Sequence, residues 1–281
     1  MTLKDYKKKK DLLVCVDSDG CAMDTMDIKH YECFGPCMVD EWTLGDWRES
    51  ILVRWNEINL YTMTRGINRF RGLVIALTEI NEKYTEIEDL EALAEWVKTS
   101  SELSNDALAR AADAAPHHIS LQKALLWSRA VNESIKKLPE EAVRPYPLVK
   151  EALSLAHEYA DVAIVSSANP GAVVDEWTHH GLIEHTDILL AQDAGSKAYC
   201  IGELLKKGYD PDRVLMCGDA PGDLDAAETN GVHFYPILVK HERESWQEFT
   251  DHALDSFVNG NYDSIENEKK RAFRVNLGGE N

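Results

Sequence analysis

Short apolar runs and longer amphipathic stretches alternate along this chain. Leu12–Val16, Val162–Val165, Asp187–Ala191, Val214–Cys217 and His233–Leu238 have the length and composition of buried strands. From residue 146 onward, helical patterns separate these runs. "YPLVKEALSLAHEYA" precedes the second, "PGAVVDEWTHHGL" follows it, "SKAYCIGELLKKG" follows the third and "GDLDAAETNG" the fourth. Such alternation predicts βαβ crossovers and a doubly wound, parallel α/β sheet.

The stretch from about 26 to 144 reads differently. "DWRESILVRWNEINLYT", "INRFRGLVIALTEINEKY", "IEDLEALAEWVKTSSE", "SNDALARAADAA" and "SLQKALLWSRAVNESIKKL" carry helical periodicity with almost no strand signal. Ser104 and Ser120 are the expected N-caps of two of these helices. Pro139, Pro145 and Pro147 punctuate the exit. An all-helical domain, 26–144, is therefore expected inside an α/β core made of 1–25 and 145–281. The tail after 240 reads as helical, anchored by Trp246 and Phe249.

Composition narrows the function classes. With 49 acidic against 30 basic residues the formal charge is −19, which argues against a nucleic-acid surface. No apolar run reaches 18 residues, so no membrane span is expected, and the basic start "MTLKDYKKKKD" lacks the long apolar stretch of a signal peptide. Of the six cysteines, Cys15, Cys200 and Cys217 sit in or beside apolar stretches. Cys33 and Cys37 lack a second pair at zinc-site spacing. Reduced thiols and a cytoplasmic location are the expectation.

Chemistry gathers where the strands end. "LLVCVDSDG" runs from strand into Asp17 and Asp19, two carboxylates spaced to crowd each other. The second run ends in Ser166 and Ser167, the fourth in Asp219 with Asp223 four residues on, and Lys197 opens the helix after the third. In a parallel sheet, ligands collect outside the carboxyl ends of the strands. Crowded carboxylates need a cation, and oxygen donors select a hard one such as Mg²⁺. Lys197 and a serine hydroxyl suit a phosphate oxygen.

On "VCVDSDG", "VAIVSSA", "AGSKAYC" and "LMCGDAPGD", in this order, the chain resembles the haloacid dehalogenase superfamily, in its phosphohydrolase branch. The helical insertion resembles the family's helical cap, placed as in phosphoglycolate phosphatase-like and β-phosphoglucomutase-like members. The resemblance implies a cap that closes over the sheet's C-terminal edge. It also implies Mg²⁺-dependent hydrolysis of a small-molecule phosphate monoester through an aspartyl-phosphate. Asp17 would be the nucleophile, and Asp19 the general acid and then the base. Mg²⁺ would be held by the Asp17 side chain, the Asp19 backbone carbonyl and Asp219, with Asp223 ligating directly or through water. Ser166 and Lys197 would stabilise the transferring phosphoryl group. Ser166 is preferred because "VAIV" fills the strand directly before it; Ser167 is the one-residue alternative. Two departures stand out: Cys21 sits where relatives often carry Thr or Val, and Lys197 lacks the Pro that often follows it. A phosphomutase on the same residues, and a non-catalytic phospho-ligand binder on the same fold, are the rival readings.

Within the insertion, "TRGINRFRG" clusters Arg65, Arg69 and Arg71 in an otherwise acidic chain. Guanidinium groups suit a carboxylate or second phosphate, so Arg65 and Arg69 are candidate substrate-binding residues, set against surface arginines paired with nearby Glu. If a helix runs through this stretch, the two share a face. His30 and Tyr31 are candidates for lining the cleft, with a packed hinge as the equal alternative. His117, His118, His179 and His180 read as surface residues.

Overall fold

The computed structural model describes residues 2–279. It divides into two compact units. One holds the chain up to Met26 and from Glu140 onward, and the other is Asp27–Pro139.

The first unit is built on five parallel strands, β1 (Leu12–Val16), β2 (Ala160–Val165), β3 (Ile188–Leu190), β4 (Val214–Gly218) and β5 (His233–Pro236), in the order β3-β2-β1-β4-β5. The order reverses at β1, which pairs β2 on one side and β4 on the other. The ends of β1 and β4 therefore flank the sheet's switch point, where ligands bind in open α/β sheets. Every residue of β1, β2 and β4 is buried. That is why these strands read as continuous apolar runs rather than alternating ones.

Two strand bounds depart from the expected ones by two residues, for physical reasons. β2 starts two residues earlier, because the fully buried Asp161 is tolerated inside it. Its Oδ2 accepts from Lys9 N, Lys10 N and the Tyr209 hydroxyl. β5 stops at Pro236, which has no N–H for the ladder.

The helices, in chain order, are α1 (Met26–Lys29), α2 (Gly35–Glu41), α3 (Arg48–Leu60), α4 (Arg69–Lys83), α5 (Leu90–Thr99), α6 (Asn105–Ala114), α7 (Ile119–Ile135), α8 (Val149–Tyr159), α9 (Pro170–His179), α10 (Lys197–Leu205), α11 (Pro221–Asn230), α12 (Glu242–Glu248), α13 (Leu254–Val258) and α14 (Asp263–Asn276). In the sheet unit, Leu12, Val14 and Val16 share an apolar cluster with Val149 and Leu153 of α8 and with Trp177, Trp246 and Phe249. Helices α10 and α11 pack together and against β2, β4 and β5. The tail is thus part of the core, with Trp246 and Phe249 buried. Glu140–Arg144, which the sequence reading places in the insertion, belongs to this unit. Asp24 N donates to Arg144 O, and His179 pairs with Glu140.

The second unit is helical throughout, with its own core around Trp55, Trp127, Phe70, Leu73 and Leu77. Ser104 caps α6 by accepting from Ala107 N. Ser120 does not cap α7. It lies inside the first turn, where both its N–H and its hydroxyl donate to Asp89. A carboxylate from a neighbouring segment takes the capping role that the local sequence suggested for the serine. No helix among the described residues is long and apolar enough to cross a membrane.

Candidate active site

β1 leads directly into Asp17, whose N–H donates to Cys217 O on the neighbouring β4. The chain then turns at Gly20, whose φ of 85° is a left-handed conformation that favours glycine. Ser18 O accepts from the N–H groups of Cys21, Ala22 and Met23, closing the loop on itself. Five residues past Gly218, Asp223 lies in the first turn of α11, and its Oδ2 accepts from Ala220 N. Gly218 is needed for this approach, since a Cβ there would overlap the Asp223 side chain.

Asp17, Asp219 and Asp223 converge. One carboxylate oxygen from each lies within 4.8 Å of the others, and the residues are only 6%, 1% and 0% exposed. Lys197, at the start of α10, reaches into the cluster. Its Nζ is 2.7 Å from Asp17 Oδ2 and 2.5 Å from Asp223 Oδ1. Burial pushes Asp17 up to about 6 against the pull of Lys197, and burial likewise raises Asp223. Lys197 shifts the other way: burial works against its charge, but the two carboxylates outweigh it and raise its pKa.

Three buried carboxylates and one ammonium leave an excess of negative charge. The acids respond as groups with less positive charge nearby than they need. An all-oxygen donor set with that deficit fits a hard divalent cation.

Asp19 turns its carboxylate elsewhere, accepting from the Thr25 hydroxyl at 2.5 Å. Ser166 follows β2 directly and is buried. Its N–H donates to Leu190 O, and its Oγ accepts from Ala168 N. Ser167 is exposed. Asp17, Asp219, Asp223 and Lys197 are therefore in contact, while Ser166 leaves the adjacent strand β2 at the same end of the sheet.

A sequence model of haloacid dehalogenase-like hydrolases matches residues 62–237, more than half of the chain. The chain belongs to the haloacid dehalogenase-like hydrolase family. The match takes in Ser166, Lys197, Asp219 and Asp223, and it begins after Asp17 and Asp19. No curated protein sequence matches. Among solved structures, a haloacid dehalogenase-like hydrolase from Streptococcus pneumoniae is 12% identical, with 84% of this chain and 90% of that one covered and a TM-score of 0.44. A predicted phosphoglycolate phosphatase from Haemophilus somnus is 17% identical, covering 81% and 85%, at 0.47. A predicted phosphatase from Clostridium acetobutylicum is 13% identical, covering 81% and 85%, at 0.44.

In the helical unit of this hydrolase, Arg65 and Arg69 do not share a helix face. Asn68 caps α4 by accepting from Phe70 N, so the helix begins at Arg69 and Arg65 lies in the preceding turn. Arg65 is 1% exposed and donates to Leu60 O. Arg69 donates from Nη1 to Ser128 Oγ, Ser128 O and Asn132 Oδ1, and its guanidinium lies 5.0 Å from the Phe34 ring centre. His30 is buried in the same unit and accepts from Trp55 Nε1, while the Tyr31 hydroxyl bonds that of Tyr61. His117 and His179 are exposed. His118 instead pairs with Asp89, and His180 Nε2 lies 2.7 Å from Val143 O.

Sequence reasoning missed Thr25, Trp177 and Trp246. Thr25 ends the very stretch that carries Asp17, and its burial as a lone hydroxyl is a tertiary fact. The two tryptophans donate to the loop after Asp17, Trp177 to Ser18 Oγ and Trp246 to Cys21 O. Nothing in their local sequence separates them from other core tryptophans.

Proposed function

We propose that this hydrolase is a phosphatase that cleaves a small-molecule phosphate monoester through an aspartyl-phosphate on Asp17. The observation that carries the reading is Asp17 held at 2.7 Å by Lys197 within a buried trio of carboxylates. The Lys197 ammonium keeps Asp17 ionised and oriented, and Ser18 N donates to its Oδ1 at 2.7 Å. Asp17 attacks phosphorus, and Asp19 delivers a proton to the departing ester oxygen. Thr25 fixes the Asp19 carboxylate for that transfer. In the second half, Asp19 takes the proton from a water that opens the acyl phosphate, and phosphate leaves. The Ser166 hydroxyl and Lys197 hold the phosphoryl oxygens as charge moves across them. Asp17, Asp219 and Asp223 with the Asp19 backbone carbonyl would hold Mg²⁺, which would supply the positive charge that the trio lacks. The exposed Ser167 is the weaker candidate for the serine role.

In the helical unit, Arg69 is the better candidate than Arg65 to read an anionic group on the substrate. Its Nε and Nη2 make no bond to the described residues. Six free thiols suit a reducing, cytoplasmic setting.

The test is turnover of a generic aryl phosphate with Mg²⁺ and after exhaustive chelation. Hydrolysis that needs Mg²⁺ supports the reading. Hydrolysis that survives chelation removes the metal role, and no hydrolysis with Mg²⁺ removes the phosphatase.

A further inference from the structure

The chain leaves β1 at Val16 and enters a turn at Ser18. Between Asp17 and Asp19, the Ser18 side chain is turned into the core. Ser18 is 0% exposed, and its hydroxyl accepts from Trp177 Nε1 at 2.9 Å. Three residues on, Cys21 O accepts from Trp246 Nε1 at 3.0 Å. Both indoles are fully buried. Between these two anchors runs the tight turn in which Ser18 O takes three N–H groups.

An indole N–H is a donor only, and it usually finds a partner when buried. A core tryptophan can satisfy that need at any nearby carbonyl. Here two of them, from elements far apart in sequence, spend their single donors on one short loop. Trp177 comes from α9, which follows Ser166. Trp246 comes from α12, in the tail beyond residue 237, where the family match ends. Trp246 is itself braced by Phe249, with ring centres 5.5 Å apart, and Phe249 by Tyr235 at the end of the sheet.

We infer that Trp177 and Trp246 are positioning residues for the nucleophile loop, so that the C-terminal tail of this chain forms part of the support of its active site. The inference rests on Asp17 being the nucleophile. Two N–H clamps, one on the Ser18 hydroxyl and one on the Cys21 carbonyl, hold the loop that sets where Asp17 and Asp19 point. In-line attack tolerates little error: a displacement near 1 Å costs on the order of a hundredfold in rate. Losing one clamp of two loosens the loop rather than releasing it, so a smaller loss is expected. The residues touch no substrate, so the loss belongs in kcat.

The experiment compares Trp246→Phe and Trp177→Phe with Phe273→Leu in the full chain; Phe273 is buried in the same tail, on α14, and packs against the Phe234 ring of β5. The first two keep an aromatic ring and remove the N–H. The third loosens the same tail without touching the loop. Each variant is measured for melting temperature, for kcat and KM on an aryl phosphate with Mg²⁺, and for amide hydrogen exchange across residues 17–25. The expected result is a roughly tenfold fall in kcat for each tryptophan variant, KM within about twofold, and faster exchange in the loop. Phe273→Leu should lower the melting temperature comparably while leaving kcat and loop exchange near the parent values. Tryptophan variants that match Phe273→Leu in kcat and loop exchange would overturn the inference. A parent enzyme with no turnover would instead sink the phosphatase reading. Loop exchange then decides alone whether the two indoles hold the loop.

Discussion

Lys197 and Arg69 are both partly buried cations, and their surroundings differ in one respect. Lys197 lies between two carboxylates, at 2.7 and 2.5 Å. Arg69 bonds only neutral oxygens, those of Ser128 and Asn132, and stacks near Phe34. The electrostatic outcome is opposite. Burial alone pulls Arg69 down to about 10, whereas the Lys197 pKa rises despite its burial. A buried charge is held in place by its counter-charge, not by hydrogen bonds in general. The sheet unit supplies nearly all of that compensation from its own residues. The helical unit leaves Arg69 to be compensated from outside the described bonds.

The largest expected effect breaks the sheet side of this contrast. Asp17→Asn should lower kcat by about 10³-fold or more while the protein stays folded, because an amide is neither a nucleophile nor a counter-charge for Lys197. Steady-state kinetics with a circular dichroism check decides it, and activity near the parent value would remove Asp17 from its role. Next, Lys197→Met leaves Asp17, Asp219 and Asp223 crowded without their ammonium. Removing one partner of a buried pair costs about 3–5 kcal/mol, so metal-free protein should melt earlier. Added Mg²⁺ should raise the melting temperature of this variant more than that of the parent. An equal Mg²⁺ response in both proteins would show that lysine and cation do not share the same field.

On the other side, Arg69→Met should lower kcat/KM by about tenfold for a phosphate ester carrying a second anionic group, since a bond to a charged group is worth roughly 1.5–3 kcal/mol. A simple aryl phosphate should change less than about twofold. Equal losses on both substrates would make Arg69 a structural tie between α4 and α7. Arg65→Met should act mainly on stability, because its guanidinium is buried and bonds the backbone at Leu60.

The smallest effect concerns a half-buried pair that pins α14 to β5. His233 Nδ1 lies 2.8 Å from Glu266 Oε2. The Glu266 hydrogen bond raises the His233 pKa above its ordinary 6.5. Its contribution is therefore complete below about 6.5 and is lost as pH rises through the raised value. Burial works to raise Glu266, but His233 and Lys270 outweigh it and hold the carboxyl below its ordinary 4.5. That contribution is present above about 4.5 and is lost as pH falls through the lowered value. Melting temperature against pH should show a shallow plateau between these limits, and His233→Gln should flatten its alkaline edge. An unchanged alkaline edge in that variant would assign the decline to another group.

How much of this was readable beforehand depended on where each feature's cause lay. The strands were legible because a parallel sheet buried on both faces demands unbroken apolar runs, and "LLVCV" and "VLMCG" are such runs. Asp161 was not assigned to β2, since its place in the strand depends on Lys9, Lys10 and Tyr209, far away in sequence. Ser120 looked like a cap for the converse reason. Its hydroxyl is right for the role, but Asp89 from another segment reaches the helix end first.

By itself, the sequence determined the element types, their succession along the chain and the polar residues at the strand ends, because each follows from local periodicity and from the chain leaving a strand at a fixed point. It also carried the family resemblance. Only the tertiary structure decided which of those residues meet. Strand order put β1 beside β4 and so brought Asp17 to Asp219 and Asp223, and Lys197, at the start of α10, reaches between two of them. It decided that Asp19 faces Thr25, that Arg65 and Arg69 part company at Asn68, and that two distant tryptophans close on one loop. Contacts between residues remote in the chain are set by packing, and no local pattern of apolar and polar positions encodes them.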